Sequence, residues 1–129
     1  MRRLALILAV MTASLPGHAH AADPGLIASL KHLDPATRRI QVCNLAVMDE
    51  TSSTKDGVTD RAFIDALKPP EIRGGVAMGN GGAFRRGGEW YEFSYRCAVT
   101  ADHMKTTDLK VHVIRQVPRS EWDAKNLYP

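Results

Sequence analysis

Two cysteines, Cys43 and Cys97, constrain the fold of this 129-residue chain more than any other feature. Cys43 lies in the best helical pattern of the sequence, which begins at Asp34-Pro35 and continues to about Thr51. Apolar residues recur there every three or four positions, so this stripe should face a core: Ala36, Ile40, Cys43 and Val47.

Cys97 lies in the best strand pattern, Glu89 to Val99, where apolar and aromatic residues alternate with mostly polar ones. Cys97 shares the predicted inner face with Tyr91, Phe93, Tyr95 and Val99. A disulfide would therefore join a helix to a sheet, and closing a loop of about 55 residues removes on the order of 4 kcal/mol of unfolded-state entropy. Two free thiols or a redox-active pair are the alternatives, although redox pairs usually lie close in sequence, as in Cys-x-x-Cys.

The N-terminus has the order of a secretory signal peptide. Arg2 and Arg3 precede an apolar run over residues 4–13, and Ala19-His20-Ala21 offers the small residues that signal peptidase recognises. The run is about half as long as the roughly 20 apolar residues of a membrane-spanning helix. We therefore predict that residues 1–21 are a cleavable signal peptide and that residues 22–129 form a single globular domain in the periplasm, with no membrane span.

Export supports the disulfide and weakens any argument from charge. An even number of cysteines in an oxidising compartment usually forms bridges. The full chain carries a net charge of +3, but loss of Arg2 and Arg3 leaves only +1. This small charge does not indicate nucleic acid as a partner.

The remaining helical patterns lie in the first half of the domain. Asp23-Pro24 predicts the start of a short helix that precedes the one at Asp34. Thr59 or Asp60 predicts the start of a third, which Pro69-Pro70 would end.

Strands are predicted after this point, where glycines and aromatic residues concentrate. Asn80-Gly81 and Gly87-Gly88 predict two tight turns, and a last strand runs through Leu109, Val111 and Val113. The order of elements predicts an α+β fold, with the N-terminal helices packed on one face of a three- to four-stranded antiparallel meander and one disulfide.

No catalytic, cofactor-binding or metal-binding pattern stands out. The glycines from Gly79 to Gly82 lack the Lys-Ser/Thr pair of a phosphate-binding loop. The histidines of the domain (His32, His103 and His112) lack metal-site spacing, and Asp102-His103-Met104 lies in a predicted connection. We therefore predict no cofactor, no metal and no catalytic residue, with a small envelope hydrolase or ligand-binding enzyme that uses His103 and a neighbouring acid as the alternative.

The predicted partner surface combines basic and aromatic residues around the Gly87-Gly88 turn: Arg85, Arg86, Trp90 and Arg96. Tryptophan and arginine are the residue types that most often anchor interfaces. In the periplasm, the partner would be another envelope protein or a polyanionic envelope component.

Several blocks resemble domain-of-unknown-function family 930, a family of short exported alphaproteobacterial proteins. Leu33 to Arg38 and Gln41 to Cys43 resemble the opening of the family's sequences. The blocks that resemble its later part are Gly82 to Tyr91, Ser94 to Cys97, Asp102 to Met104 and Pro118 to Leu127. The resemblance implies paired cysteines and a periplasmic setting. It implies no activity, so no catalytic residue is carried over, and we expect a non-enzymatic periplasmic accessory or binding protein.

Overall fold

The structure is a computed structural model and describes residues 23–129. The predicted signal peptide, residues 1–21, lies outside the described residues. Two helices come first, α1 (Pro24–His32) and α2 (Pro35–Thr51). Both predicted helix starts are confirmed.

An aspartate caps each helix, and a proline occupies the first helical position. The Asp34 carboxylate accepts hydrogen bonds from the backbone N–H groups of Ala36 and Thr37, both at 3.1 Å. The cap satisfies donors that have no partner within the helix, and the proline has no N–H to leave unpaired.

A five-stranded antiparallel sheet follows, with the strands β1 (Thr59–Phe63), β2 (Glu71–Arg73), β3 (Val76–Arg86), β4 (Glu89–Val99) and β5 (Thr106–Gln116). The strand order is β1-β3-β4-β5, and β2 pairs with the start of β3. Two short 3-10 helices, Arg119–Glu121 and Asp123–Lys125, follow β5 near the C-terminus. The predicted α+β fold is confirmed, with more strands than the simple meander required.

The predicted disulfide is present and joins α2 to β4. Cys43 and Cys97 have Cα atoms 6.2 Å apart, and neither residue is exposed to solvent. The main core packs around them between α2 and the inner face of the sheet, where Val47, Phe84 and Phe93 are also fully buried. The helical stripe and the strand alternation therefore predicted both sides of this core correctly.

The predicted third helix is wrong, because that segment forms β1 and a turn. Ala62 pairs with Phe84 of β3, and the backbone N–H of Ile64 donates to the Asn44 side chain on α2 at 2.8 Å. These two sets of hydrogen bonds use the backbone groups that a helix would need. The helical pattern was short, so pairing with β3 outweighs it.

The predicted turn at Asn80-Gly81 is also wrong, because β3 continues through it with a local irregularity in its pairing to β4. A Cβ at Gly82 would overlap the Phe93 ring, and one at Gly81 would lie 2.6 Å from the backbone nitrogen of Lys68. These glycines permit close packing. The predicted turn at Gly87-Gly88 is confirmed, with φ angles of 59° and 75°.

Candidate functional site

Trp90 lies on the outer face of the sheet, opposite the helices, but it is fully buried. The segment after Val117 folds back over it, and Trp122 and Leu127 pack with it in a second, smaller core. The Trp90 indole Nε1 donates to the backbone oxygen of Tyr128 at 2.7 Å. Trp90 is therefore a packing residue, contrary to the prediction of an exposed aromatic anchor.

Arg85 lies on the same face and forms a bidentate ion pair with Asp60. Its Nε donates to Oδ1 at 3.0 Å and its Nη2 donates to Oδ2 at 2.6 Å. Its guanidinium also lies 5.6 Å from the centre of the Tyr128 ring. The hydrogen bond from Arg85 holds the pKa of the Asp60 carboxyl below its usual value. Arg85 therefore connects β3 to β1 and to the C-terminal segment.

Arg86 points to the opposite face of the sheet, as alternation along a strand requires. It donates to the backbone oxygen of Thr51 at 2.5 Å, at the C-terminal end of α2. The guanidinium lies 5.3 Å from the ring centres of Phe84 and Tyr91. A cation at this end of a helix is electrostatically favourable, so Arg86 supports the fold.

The four predicted partner residues therefore do not form one surface. Trp90 is covered, Arg85 is paired, and Arg86 faces the helical side. Arg96 is exposed on the half of the outer face that is distant from Trp90 along β4. Strand alternation correctly separated the faces, but it could not predict that the C-terminal segment covers part of one.

Arg96 has a basic neighbour that the sequence pattern did not predict. Its register partner on β5 is Lys110, and the next pair along these strands on the same face is Ser94 with His112. Arg96, Lys110 and His112 are exposed. We call these four residues, Ser94, Arg96, Lys110 and His112, the basic face.

Among residues 23–129, no carboxylate lies within ion-pair distance of Arg96 or Lys110. Directly opposed like charges destabilise a pair of strands, so this arrangement departs from ordinary sheet chemistry. Alternation in β5 places Lys110 and His112 on one face, but only the register places Lys110 opposite Arg96.

Acidic residues on the outer face beneath the C-terminal segment are held by other cations, whereas Asp108, one pair along from Lys110 on the same face, is exposed and forms no ion pair among residues 23–129. Arg115 bridges Glu92 and Glu121 at 3.0 and 2.8 Å, and Lys125 lies 3.5 Å from Glu92. The hydrogen bond from Arg115 lowers the pKa of Glu121, so its carboxylate stays charged. The half of the sheet beneath the C-terminal segment is therefore internally compensated, in contrast to the basic face.

His103, the candidate base of the alternative enzyme hypothesis, holds the β4–β5 connection against α2. Its Nδ1 lies 2.6 Å from the backbone oxygen of Pro35, and its Nε2 lies 3.0 Å from Nη2 of Arg39. Because a carbonyl only accepts, Nδ1 carries the hydrogen and Nε2 accepts from Arg39.

The neighbouring Asp102 carboxylate accepts hydrogen bonds from the Thr100 hydroxyl and the Met104 backbone, at 2.6 and 3.0 Å. The first of these lowers the pKa of Asp102. The two side chains thus bind different partners, and the described contacts include no acid–imidazole pair at His103.

A groove of about 1290 Å³ lies between α1, α2 and the β4–β5 connection. Its walls are mainly apolar and include Leu26, Ile27, Leu30, Val42, Leu45 and Met104. Within residues 23–129, no cluster of histidine, cysteine and acidic side chains could hold a metal ion, and no helix combines the length and hydropathy needed to cross a bilayer.

A family model described as Domain of Unknown Function (DUF930) matches residues 30–127. The match contains α2, the whole sheet, the disulfide and the C-terminal segment up to Leu127. The chain shows no significant similarity to a curated protein or to a solved structure. Because the match covers most of the chain, the protein belongs to the DUF930 family.

Proposed function

We propose that this protein is exported to the periplasm and acts there as a non-enzymatic binding protein, whose basic face binds a phosphate-bearing polyanion. The observation that carries the proposal is the exposed pair formed by Arg96 and Lys110, directly opposite one another on β4 and β5. A bound anion would supply the countercharge that this pair lacks among the described residues.

The chemistry of the four side chains suits phosphate oxygens. Arginine offers a planar fork of donors, lysine a compact charge, and serine and histidine further hydrogen bonds. Side chains of directly opposed strand residues have Cβ atoms about 4.5–5.5 Å apart, which lets two of them contact one anionic group. An open sheet face can also follow a polymer along its length.

Export is supported by two independent features. The N-terminal residues have the order of a signal peptide. The buried Cys43–Cys97 bridge is typical of proteins that fold in an oxidising compartment.

The proposal is tested with inorganic polyphosphate as the probe, at low salt, by fluorescence anisotropy. We expect Arg96→Glu and Lys110→Glu each to weaken binding by about tenfold or more, the loss of one charge-assisted contact. Arg61→Glu is the matched control, since Arg61 is an exposed arginine on β1, at the other end of the sheet. Added salt should weaken wild-type binding, because exposed charges are screened.

Equal binding by wild type and both basic-face variants would overturn the proposal, as would an equal loss in Arg61→Glu. A pull-down from periplasmic extract distinguishes a polyanion ligand from a protein ligand. Recovery of a protein partner that Arg96→Glu loses, with no polyphosphate binding by the wild type, would replace the polyanion with a protein as the ligand.

A further inference from the structure

β5 is a long strand at the open edge of the sheet. It spans Thr106–Gln116, eleven residues, and among residues 23–129 β4 is its one neighbour in the sheet. Its outer edge therefore presents backbone N–H and C=O groups that no strand of the described part of the chain pairs with. Such edges pair readily with another strand, and proteins usually shorten or block them.

The central part of this edge is regular. Asp108 to Val113 pair residue by residue with β4, and irregularities in the register lie only on either side, at Thr107 and Ile114. Val113 and Ile114 are 42% and 47% exposed. Bulges thus border the edge without interrupting it, and two large apolar side chains lie beside it in solvent.

The side-chain alternation of β5 suits antiparallel pairing with a second copy of the same strand. Leu109, Val111 and Val113 pair with inner-face residues of β4, whereas Lys110 and His112 lie on the outer face. In an antiparallel pair, opposed residues point to the same side, so an added strand must have the same alternation. A second β5 has it.

We propose that two copies of the chain associate through their β5 edges, antiparallel about Val111, and form one continuous sheet. In this register Val111 lies opposite its own copy, and Leu109 lies opposite Val113 of the second copy. The outer row then places Lys110 opposite His112 of the second copy.

Apolar contact selects this register over its neighbours. A twofold axis at Lys110 would oppose two lysines, and one at His112 would oppose Leu109 to Arg115. The axis at Val111 aligns the apolar stripe over its whole length, and it opposes Asp108 to Ile114 only where the register irregularity begins.

The twofold axis runs perpendicular to the sheet, so both helical layers lie on the same side of it. The two basic faces then adjoin on the opposite side, since Lys110 and His112 belong to β5. The dimer does not depend on the proposed polyanion binding, and its test uses protein without any ligand.

The first test is sedimentation velocity on the exported protein over a range of concentrations. We expect a monomer–dimer equilibrium in the wild type and at least tenfold weaker association in Val113→Lys. Val58→Lys is the matched control, because Val58 is 75% exposed and lies outside the sheet. Far-UV circular dichroism reports whether each variant is folded.

The second test measures the register with single cysteines at exposed positions. Lys110→Cys and His112→Cys proteins, mixed and then oxidised, should form a disulfide-linked heterodimer in clear excess over the homodimers of either variant alone. This test stands even if Val113→Lys fails to fold. A wild type that remains monomeric at every concentration, equal weakening by Val58→Lys, or equal cross-linking in mixed and separate samples would overturn the proposal.

Discussion

The indole nitrogen of Trp90 donates a 2.7 Å hydrogen bond to the backbone oxygen of Tyr128, which ties the start of β4 to the penultimate residue of the chain. A second indole, that of Trp122, donates to the backbone oxygen of Val117 at 3.0 Å. Both tryptophans are therefore buried with their polar nitrogens satisfied. The C-terminal segment is a structural part of the domain and closes a second core.

Trp122→Ala should destabilise the domain by about 3–5 kcal/mol, the usual cost of removing a buried tryptophan. Urea unfolding measures the free energy, and Ser120→Ala, an exposed position in the same segment, should change it by less than about 0.5 kcal/mol. The remaining Trp90 should also emit at longer wavelength, because loss of Trp122 admits water to it. Equal stability of the two variants would contradict the second core.

Removal of the Cys43–Cys97 bridge should cost about 2–5 kcal/mol, because it closes a separation of 54 residues and joins α2 to the sheet. The double variant Cys43→Ala, Cys97→Ala tests this by chemical unfolding. Wild type in strong reductant provides the matched comparison without a change of sequence. An unfolding midpoint that is unchanged in both would show that the bridge adds little to the stability of this fold.

Gly82→Ala should destabilise the protein by about 1–3 kcal/mol, the typical cost of overpacking, since the added Cβ would overlap the Phe93 ring. Gly25→Ala is the control. Its Cβ would lie 3.6 Å from the nearest atom, in the Asp23 side chain, and alanine favours the helical backbone. We expect the control to unfold at the same or a higher urea concentration. The opposite order would indicate that this part of β3 is packed differently.

Tyr95 determines an alkaline limit of stability. Burial, with a further contribution from the charge of Asp65, raises the pKa of its phenol from 10.0 to about 12. A raised folded-state pKa means that its contribution is complete below the unfolded value and is lost as pH rises from 10 to about 12.

Tyr95→Phe should remove this alkaline loss. At neutral pH the change should cost little, because the Tyr95 hydroxyl has no hydrogen-bond partner among the described residues. Urea unfolding from pH 7 to 12 compares the two proteins, with Tyr128→Phe as the control, since Tyr128 is 46% exposed. Parallel pH curves for wild type and Tyr95→Phe would contradict the assignment.

The features that depend on local patterns were predicted from the sequence. Aspartate and proline determine both helix starts, the α2 stripe buries Cys43, and alternation in β4 buries Cys97. Each depends on a few neighbouring residues, so composition and spacing were sufficient. The disulfide followed because its two ends were each assigned correctly.

The predictions that were wrong concern features that depend on contacts between distant parts of the chain. The segment at Thr59 became a strand because β3 lies beside it, and the glycines at 81 and 82 serve packing against Lys68 and Phe93. Trp90 was placed on the correct face, but its exposure depended on where the last twelve residues fold.

Local residue patterns specify the layers of this protein: two capped helices, a sheet with one apolar face, and the cysteines that join them. Which outer-face residues stay exposed and without an ion-pair partner depends on the complete fold, because strand register and the path of the C-terminal segment arise from long-range packing. The complete fold covers Trp90, pairs Arg85 with Asp60, and places Arg96 opposite Lys110. Local periodicity specifies the face on which a side chain lies, whereas its neighbours across the sheet depend on how the whole chain packs.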